Sequence, residues 1–395
     1  MPDYVLLSFE THSPSGVIRG FEKAGRASAE VPVEKIRIDT ANISEAEAAE
    51  FVRSGNNLAA EVMPLSLVAP TKNFDYSQGV VDGQAWNVAA IGASESGLSG
   101  RGCVVAVLDT GIDRHHPAFE GKDFDCKTFV GGDTSDNHGH GTHCAGTIVG
   151  GTVEGLRIGV APGVEKVLVG KVIDDHGKGS TTSLIEGLRW AAQEGAHVVS
   201  SSVGFDFHDY RNRLVERGLP EKYAFEKALQ EYERNILMFD VLSRHADLAI
   251  YGSAPLHIFA AGNASDRNAS ENHVAGACAP GRCFEMSIGA VGRAADGLRL
   301  APFSNGPPDL VAPGVDVVSA VPDNGLACMD GTSMACAHVA GVAALWVERL
   351  LAEDGRVNPA ALRSAVMRSC TREGIDGLDE QPGRLVGQGL IRVPN

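Results

Sequence analysis

From Trp86 onward, the chain alternates short apolar runs with segments whose apolar residues recur at helical spacing. The apolar runs predict strands near residues 104–109, 166–173, 197–203, 257–262 and 285–291. The segments between them predict helices near residues 140–150, 181–194, 333–351 and 359–369. Runs without polar positions are typical of strands buried on both faces. The pattern therefore predicts an α/β fold, with a mostly parallel sheet and helices on both of its faces.

The first 70 residues or so follow a different pattern. They predict the element order β-α-β-α-β, at residues 4–9, 15–27, 33–38, 44–53 and 58–68. Ser44 and Glu47 have the spacing of a capping box, which marks a helix start. Residues 69–79 are polar and turn-rich, which is typical of a linker. The chain therefore divides into a small α+β domain with its linker, residues 1–75, and a larger domain, residues 76–395.

Composition excludes some classes of partner. The 395 residues are 44% hydrophobic and carry a formal net charge of −16, which argues against binding to nucleic acid or to an anionic membrane surface. We expect no apolar stretch that approaches the length of a membrane span. We therefore expect neither nucleic acid nor a membrane as a partner.

The beginning of the chain and its cysteines bear on the compartment. The first ten residues have no basic start and no adequate apolar core, so they do not form a secretory signal. A cytoplasmic location is expected, and a secreted protein given after signal removal is the alternative. Of the eight cysteines, Cys278 and Cys283 could close a small disulfide loop. Free, buried thiols are the favoured interpretation.

Three polar residues stand where a sheet or helix would present them to a ligand. Asp109 ends the apolar run 104–109, and ligands of open α/β sheets bind outside the carboxyl ends of strands. His140 lies between glycines at a predicted helix start, and Ser333 opens a long apolar helix at its positive end. Taken singly, they also fit a turn cap, a metal pair of His140 with Cys144, and a helix N-cap.

The order Asp109, His140, Ser333, with Asp-Thr-Gly, His-Gly-Thr-His and Gly-Thr-Ser-Met-Ala around them, resembles the subtilisin-like serine proteases. The His140 segment is most similar to the proteinase K branch, and the resemblance covers roughly residues 84–370. It implies a three-layer subtilisin-like fold and a serine endopeptidase. In that family, Ser333 would attack the scissile carbonyl, His140 would carry the proton and Asp109 would orient the imidazole.

The same resemblance assigns further roles. Asn263, in an Ala-Ala-Gly-Asn element, would stabilise the oxyanion together with the Ser333 backbone amide. A peptide or protein substrate would bind as an added strand, because main-chain hydrogen bonds suit such an edge. The residues expected to form its binding edges and pocket walls are Gly177, Lys178, Gly179, Ser202, Val203, Gly204, Ala260, Ala261 and Gly262. Ordinary strand-to-loop turns are the alternative interpretation of these segments.

The N-terminal pattern is similar to the ferredoxin-like inhibitory propeptide of the family. This similarity implies a zymogen in which residues 1–75 act as an intramolecular inhibitor and in which the linker contains the self-cleavage site. The exact bond does not follow from the sequence. A permanently attached accessory domain is the alternative.

The chain also departs from the family pattern. An insert at about residues 205–250 contains a strongly helical stretch, residues 221–232, which predicts a lid or shoulder that narrows substrate choice. A surface elaboration without substrate contact is the alternative. The chemistry requires no cofactor or metal. Ala118 stands where a calcium-binding Asp often occurs, and the loop 150–157 lacks the expected Asn. The family's strong calcium site is therefore expected to be absent, while weaker calcium sites stay open.

The sequence leaves two other functions open. A catalytically silent scaffold that binds peptides would keep the fold without the chemistry. Within the enzyme class, a protease that processes one partner competes with a broadly degrading one.

Overall fold

The computed structural model describes residues 1–12, 33–245, 254–269, 273–284, 286–377 and 382–394. The helix expected at 15–27 lies outside these ranges. The described N-terminal elements are β1 (Asp3–His12), β2 (Val33–Asn42), α1 (Glu45–Arg53) and β3 (Asn57–Glu61). The strands form an antiparallel sheet in the order β2-β1-β3, which fits the ferredoxin-like arrangement for these elements. Helix α1 begins with the predicted capping box of Ser44 and Glu47.

The rest of the described chain forms the larger α/β domain and the segment that leads into it. The strands are β4 (Pro64–Leu67), β5 (Thr71–Asn73), β6 (Val80–Val81), β7 (Gln84–Ala85), β8 (Val104–Asp109), β9 (Asp123–Thr128), β10 (Thr152–Val153), β11 (Leu156–Arg157), β12 (Lys166–Lys171), β13 (Lys178–Ser180), β14 (Val198–Ser201), β15 (Val203–Phe205), β16 (Leu256–Ala260), β17 (Ser287–Ala294), β18 (Gly297–Leu300), β19 (Leu310–Pro313), β20 (Val317–Val321), β21 (Gly325–Asp330), β22 (Cys370–Thr371), β23 (Ile375–Asp376) and β24 (Leu390–Ile391). The helices are α2 (Trp86–Ala90), α3 (His140–Val149), α4 (Thr181–Gln193), α5 (Phe207–Glu216), α6 (Glu221–His245), α7 (Thr332–Asp354), α8 (Pro359–Arg368) and α9 (Pro382–Val386), and short 3-10 helices span Tyr76–Gly79 and Pro117–Phe119.

The central sheet has the strand order β22-β24-β19-β17-β16-β14-β8-β12-β9. Every neighbouring pair from β24 to β9 is parallel, whereas β22 joins the edge antiparallel. Strand β18 extends the sheet by pairing antiparallel with β17 and parallel with β23. The five strands predicted from apolar runs all lie in this sheet.

Side chains of β8 alternate between two hydrophobic layers. Val105 and Val107 belong to the cluster that contains α3 and α7, whereas Ala106 and Leu108 belong to the cluster that contains α4 and α6. Helices therefore cover both faces, which confirms the predicted three-layer α/β fold. The second cluster also takes in Val5 and Leu7 of the N-terminal sheet, so the small domain packs on the α4 and α6 side.

Helix α7 runs through the first of these layers. By length and composition it could span a membrane, with a mean hydropathy of 1.4 over its most apolar window, contrary to the expectation from the sequence. However, 78% of that window is buried inside the protein, as is typical of the core helix of a folded domain.

The sequence suggested that residues 58–68 form one strand of the N-terminal sheet. The structure divides them between two sheets. Strand β3 ends at Glu61, and β4 continues the chain into a three-stranded antiparallel sheet between β13 and β15. Strand β5 then pairs antiparallel with β21. Residues 64–73 therefore cross the larger domain as two short strands. Strand β4 lies between β13 and β15, and β5 lies beside β21.

Candidate active site

Asp109 and His140 form a buried hydrogen-bonded pair. Asp109 is the last residue of β8, and His140 is the first residue of α3. The distance from His140 Nδ1 to Asp109 Oδ1 is 2.7 Å, and the Thr110 backbone N–H donates to the same oxygen over 2.8 Å. We assign the Nδ1 proton to this hydrogen bond, which leaves Nε2 free to accept a proton.

Glycines allow the strand end and the helix start to approach. A Cβ atom on Gly141 would lie 2.2 Å from the Gly111 carbonyl oxygen, a distance that no side chain tolerates. Gly111 also has a φ of +112°, in the region that favours glycine. The glycines around the motif therefore leave the space that His140 needs to lie against Asp109.

Asp136 is a positioning residue that the sequence analysis missed. Its Oδ1 accepts hydrogen bonds from the Gly139 N–H and the Thr110 hydroxyl, each over 2.8 Å. Its Oδ2 accepts from the Thr142 N–H and hydroxyl over 2.8 and 2.7 Å. A carboxylate just ahead of a helix start, where backbone N–H groups lack partners, was the available signal.

Ser333 lies in the first turn of α7, and Asn263, which follows β16, contacts the residue before it. The Asn263 Oδ1 accepts from both the backbone N–H and the hydroxyl of Thr332, each over 2.9 Å. The Thr332 hydroxyl in turn accepts from the Gly262 N–H over 3.0 Å. These contacts orient the Asn263 amide so that its Nδ2 donates to the Ala69 carbonyl oxygen over 3.0 Å. Thr332 is thus a second positioning residue that the motif alone did not reveal.

The two segments predicted as substrate-binding edges flank β4. Gly179 and Gly204 lie opposite Leu65 and Ser66 in the antiparallel register of β13 and β15. Lys178 and Val203 lie beside the same strand, opposite Ser66 and Leu67.

The backbone pairing continues to the end of the crossing segment. The Leu67 N–H donates to the Gly177 carbonyl, and the Val68 N–H donates to the Ser202 carbonyl, each over 3.0 Å. The structure therefore brings both edges together around a segment of the chain itself.

The nucleophile candidate contacts this segment directly. The Ser333 hydroxyl donates to the Val68 carbonyl oxygen over 3.1 Å. Asn263 binds the next carbonyl along, that of Ala69, so the two side chains contact successive peptide groups. Val68 is buried, whereas Ala69 is exposed. Either the bond after Val68 or the bond after Ala69 is therefore close to the catalytic groups.

Ala260, Ala261 and Gly262 lie at the carboxyl end of β16. Both alanines are fully buried, and the Ala261 carbonyl accepts from the Cys278 N–H over 2.8 Å. A Cβ atom on Gly262 would lie 2.6 Å from the Cys278 sulfur. Their role as walls of the pocket for the residue before the scissile bond stays a prediction.

Asp109 supplies a third potential metal ligand beside His140 and Cys144, which the sequence had not suggested. The ligand atoms of the three residues lie within 4.8 Å of one another. Burial, together with the nearby Asp109 carboxylate, raises the pKa of the Cys144 thiol well above its usual value, which disfavours the thiolate that metals bind. The expectations of no required metal and no strong calcium site stay predictions. All eight cysteines, including Cys278 and Cys283, are free thiols in the structure.

The helices of the insert contact the N-terminal domain through buried charges. Lys227 Nζ lies 2.9 Å from Glu231 Oε1 and 3.7 Å from Glu61 Oε2. The Glu61 backbone N–H donates to Glu231 Oε2, and the Asn235 amide donates to the Glu61 carbonyl, each over 3.0 Å. Burial raises the pKa of the Glu61 carboxyl, an effect that Lys227 partly offsets. The insert, predicted as a lid or shoulder, therefore holds the N-terminal domain.

Comparison with known proteins agrees with this geometry. A protein-family model described as the subtilase family matches residues 100–389 of this chain. Subtilisin-like protease 6 of Arthroderma gypseum is 33% identical over 270 residues, which is 66% of this chain and 58% of that protein. The thermophilic serine proteinase of Bacillus sp. strain AK1 is 32% identical over 365 residues, 89% of this chain and 77% of that protein.

A third relative is the cuticle-degrading protease of Metarhizium anisopliae, which is 31% identical over 283 residues, 71% of this chain and 61% of that protein. The chain thus spans about three fifths of the first and third of these relatives and about three quarters of the second.

Proposed function

Because this chain belongs to the subtilase family, we propose that it is a serine endopeptidase made as a zymogen that cleaves itself between Val68 and Ala69. The observation that carries the proposal is the path of residues 64–68. They lie as an added strand between the two binding edges, and the last carbonyl is 3.1 Å from the Ser333 hydroxyl.

The choice of bond follows from the backbone register. Within residues 64–68, the last N–H is that of Val68, which donates to the Ser202 carbonyl. The Ser333 hydroxyl contacts the carbonyl of Val68 as well. The contact of Asn263 with Ala69 would favour the next bond instead. That bond precedes Pro70, and the proline ring substitutes the leaving nitrogen and crowds the residue before it. We therefore assign cleavage to the Val68–Ala69 bond.

The reaction would proceed through an acyl-enzyme. Ser333 Oγ attacks the Val68 carbonyl carbon while His140 Nε2 takes the hydroxyl proton, and Asp109 stabilises the imidazolium that forms. The Asn263 amide and the Ser333 backbone N–H stabilise the oxyanion after a small shift of the strand. His140 then delivers its proton to the Ala69 nitrogen, which leaves as an amine. Water hydrolyses the remaining ester by the same proton transfers.

The N-terminal domain would act as the inhibitor in this scheme. Its tail, residues 64–68, would occupy the cleft between β13 and β15 both before and after the cut. The buried cluster of Glu61, Lys227 and Glu231 holds its sheet to the insert. Protein and peptide substrates would bind in the same position once the N-terminal piece leaves.

The test is the intact mass of the purified full chain over time, beside Ser333→Ala and the exposed-site control Ser94→Ala. We expect the parent and Ser94→Ala to release a 68-residue piece and to leave a chain that begins at Ala69. Ser333→Ala should stay intact. A chain that begins at Pro70 would correct the assigned bond.

If all three chains stay intact, the N-terminal domain is permanent. Failure to cleave any peptide in a library would then favour the silent scaffold. A digest of unfolded casein separates broad degradation, with many cuts, from processing of one partner.

A further inference from the structure

The backbone contacts of the crossing segment extend beyond β4. The Met63 N–H donates to the Thr181 hydroxyl over 3.1 Å, and the Thr181 N–H donates to the Met63 carbonyl over 2.9 Å. The Asp206 N–H donates to the Pro64 carbonyl over 2.9 Å. The larger domain therefore also holds the main chain at Met63, the sixth residue before the Val68–Ala69 bond.

Met63 also inserts its side chain into the insert. It is fully buried in a small hydrophobic cluster with Tyr210 and Leu214 of α5 and with Ala224 and Ala228 of α6. The half-buried side chains around this cluster also come from residues 205–232. The N-terminal sheet contributes to a different cluster, so the walls of the Met63 site come from the larger domain alone.

We propose that α5 and α6 form an additional specificity pocket, which binds an apolar side chain six residues before the scissile bond of a substrate. This inference rests on the proposed peptidase function, because it places a substrate where residues 63–68 lie. The alanines of α6 leave room for a side chain of the size of Met or Leu. A charged side chain would lose its hydration there among mostly apolar side chains.

The register argues for a dedicated position. In the segment itself, Met63 is fully buried, whereas Val62, the residue before it, is only half-buried. Selectivity should therefore be strong at the sixth position and weak at the seventh.

The test uses the full chain after self-processing and separation from its N-terminal piece. The substrate is the peptide of residues 62–71, with Met, Leu, Gly or Asp at the Met63 position. We expect kcat/KM for Met and Leu to exceed that for Gly by about tenfold or more, as burial of such a side chain supplies. Asp should be worse than Gly. Replacing Val62 by Gly should change kcat/KM less than threefold. A shorter peptide that begins at Leu65 should be no better than the Gly peptide, because it also lacks the main-chain contacts of Met63 and Pro64.

An enzyme variant tests the pocket from the other side. Ala228→Leu should fill the site and abolish the preference for Met over Gly, while the kcat/KM of the short peptide stays unchanged. Gln230→Leu, at an exposed position of the same helix, is the matched control and should keep the preference.

Normal cleavage of the short peptide with equal rates for Met, Gly and Asp would overturn the pocket and leave the peptidase intact. No cleavage of any peptide would overturn the peptidase, and the pocket with it.

Discussion

Lowering the pH from 7 to 5 should destabilise the folded chain, because buried histidines are held in the neutral form. Burial lowers the pKa of His143 to about 3 and the pKa values of His257 and His338 to about 4. His143 offers the clearest case. Its Nε2–H donates to the Val317 and Ala327 carbonyls over 3.0 and 3.2 Å, and its buried Nδ1 has no hydrogen-bond partner among the residues that the structure describes. A proton added there would be buried without an acceptor.

The sign and size of the effect follow from linkage. An unfolded histidine titrates near 6.5, so between that value and about 3 the unfolded chain takes up a proton at His143 that the folded chain refuses. The contribution of His143 to stability is therefore complete above pH 6.5 and is lost as the pH falls. Each pH unit costs at most about 1.4 kcal/mol, which gives about 2 kcal/mol at pH 5.

The assay is urea unfolding at pH 7 and pH 5, in a Ser333→Ala background that prevents self-digestion. In His143→Gln, the side-chain amide can donate to the same carbonyls but cannot titrate in this range. The free energy of unfolding should fall by about 2 kcal/mol less in His143→Gln than in the parent. Replacing the exposed His115 by Gln is the control and should leave the pH dependence unchanged. Identical pH dependence of the parent and His143→Gln would refute the reasoning.

Three further predictions address the site and its inhibitor. Asn263→Ala should lower kcat on a peptide by about 10²–10³, the known cost of losing this donor in subtilisin; a loss below tenfold in steady-state kinetics would contradict its role. Lys227→Met should raise the Kd of the cleaved N-terminal piece at least tenfold in calorimetry, because the buried Glu61 of that piece loses the cation that lies 3.7 Å away; an unchanged Kd would show that this pair contributes nothing to binding. Mercuric ion should inactivate the parent and spare Cys144→Ala, because Cys144 Sγ lies 3.8 Å from His140 Nδ1, and the raised pKa of this thiol should make inactivation faster at higher pH; equal inhibition would place the metal elsewhere.

The sequence was most informative where chemistry demands a fixed local pattern. Short motifs predicted Asp109, His140 and Ser333, because a strand end and two helix starts need particular glycines and apolar neighbours, and the structure pairs the first two. The strands of the central sheet were found for a similar reason, since burial on both faces leaves no polar position. Both signals are local, and both could be read without knowing the partner of any residue.

Contacts between distant segments were not predictable in this way. The apolar pattern of residues 58–68 fits a strand but does not say which sheet the strand joins, so β4 was assigned to the wrong sheet. The insert helix was recognised, yet Glu231 looks like a solvent-facing residue in any helical pattern. Its burial depends on Lys227 and Glu61, and the latter is 170 residues away in the chain. Asp136 was missed because its role depends on its contacts with Thr110, on another element, as well as with the start of α3.

The unbroken path of residues 64–73 through the cleft also sets the kinetics of activation. While the chain is continuous, the blocking segment is tethered to the cleft, at an effective concentration that bulk dilution cannot change. Once the bond is cut, the two pieces meet only at their bulk concentration, and the occupancy of the cleft depends on the dissociation constant. The cut should therefore be first order and independent of enzyme concentration. Activity per molecule should then rise on dilution, so a concentrated sample would remain blocked after every chain had been cleaved.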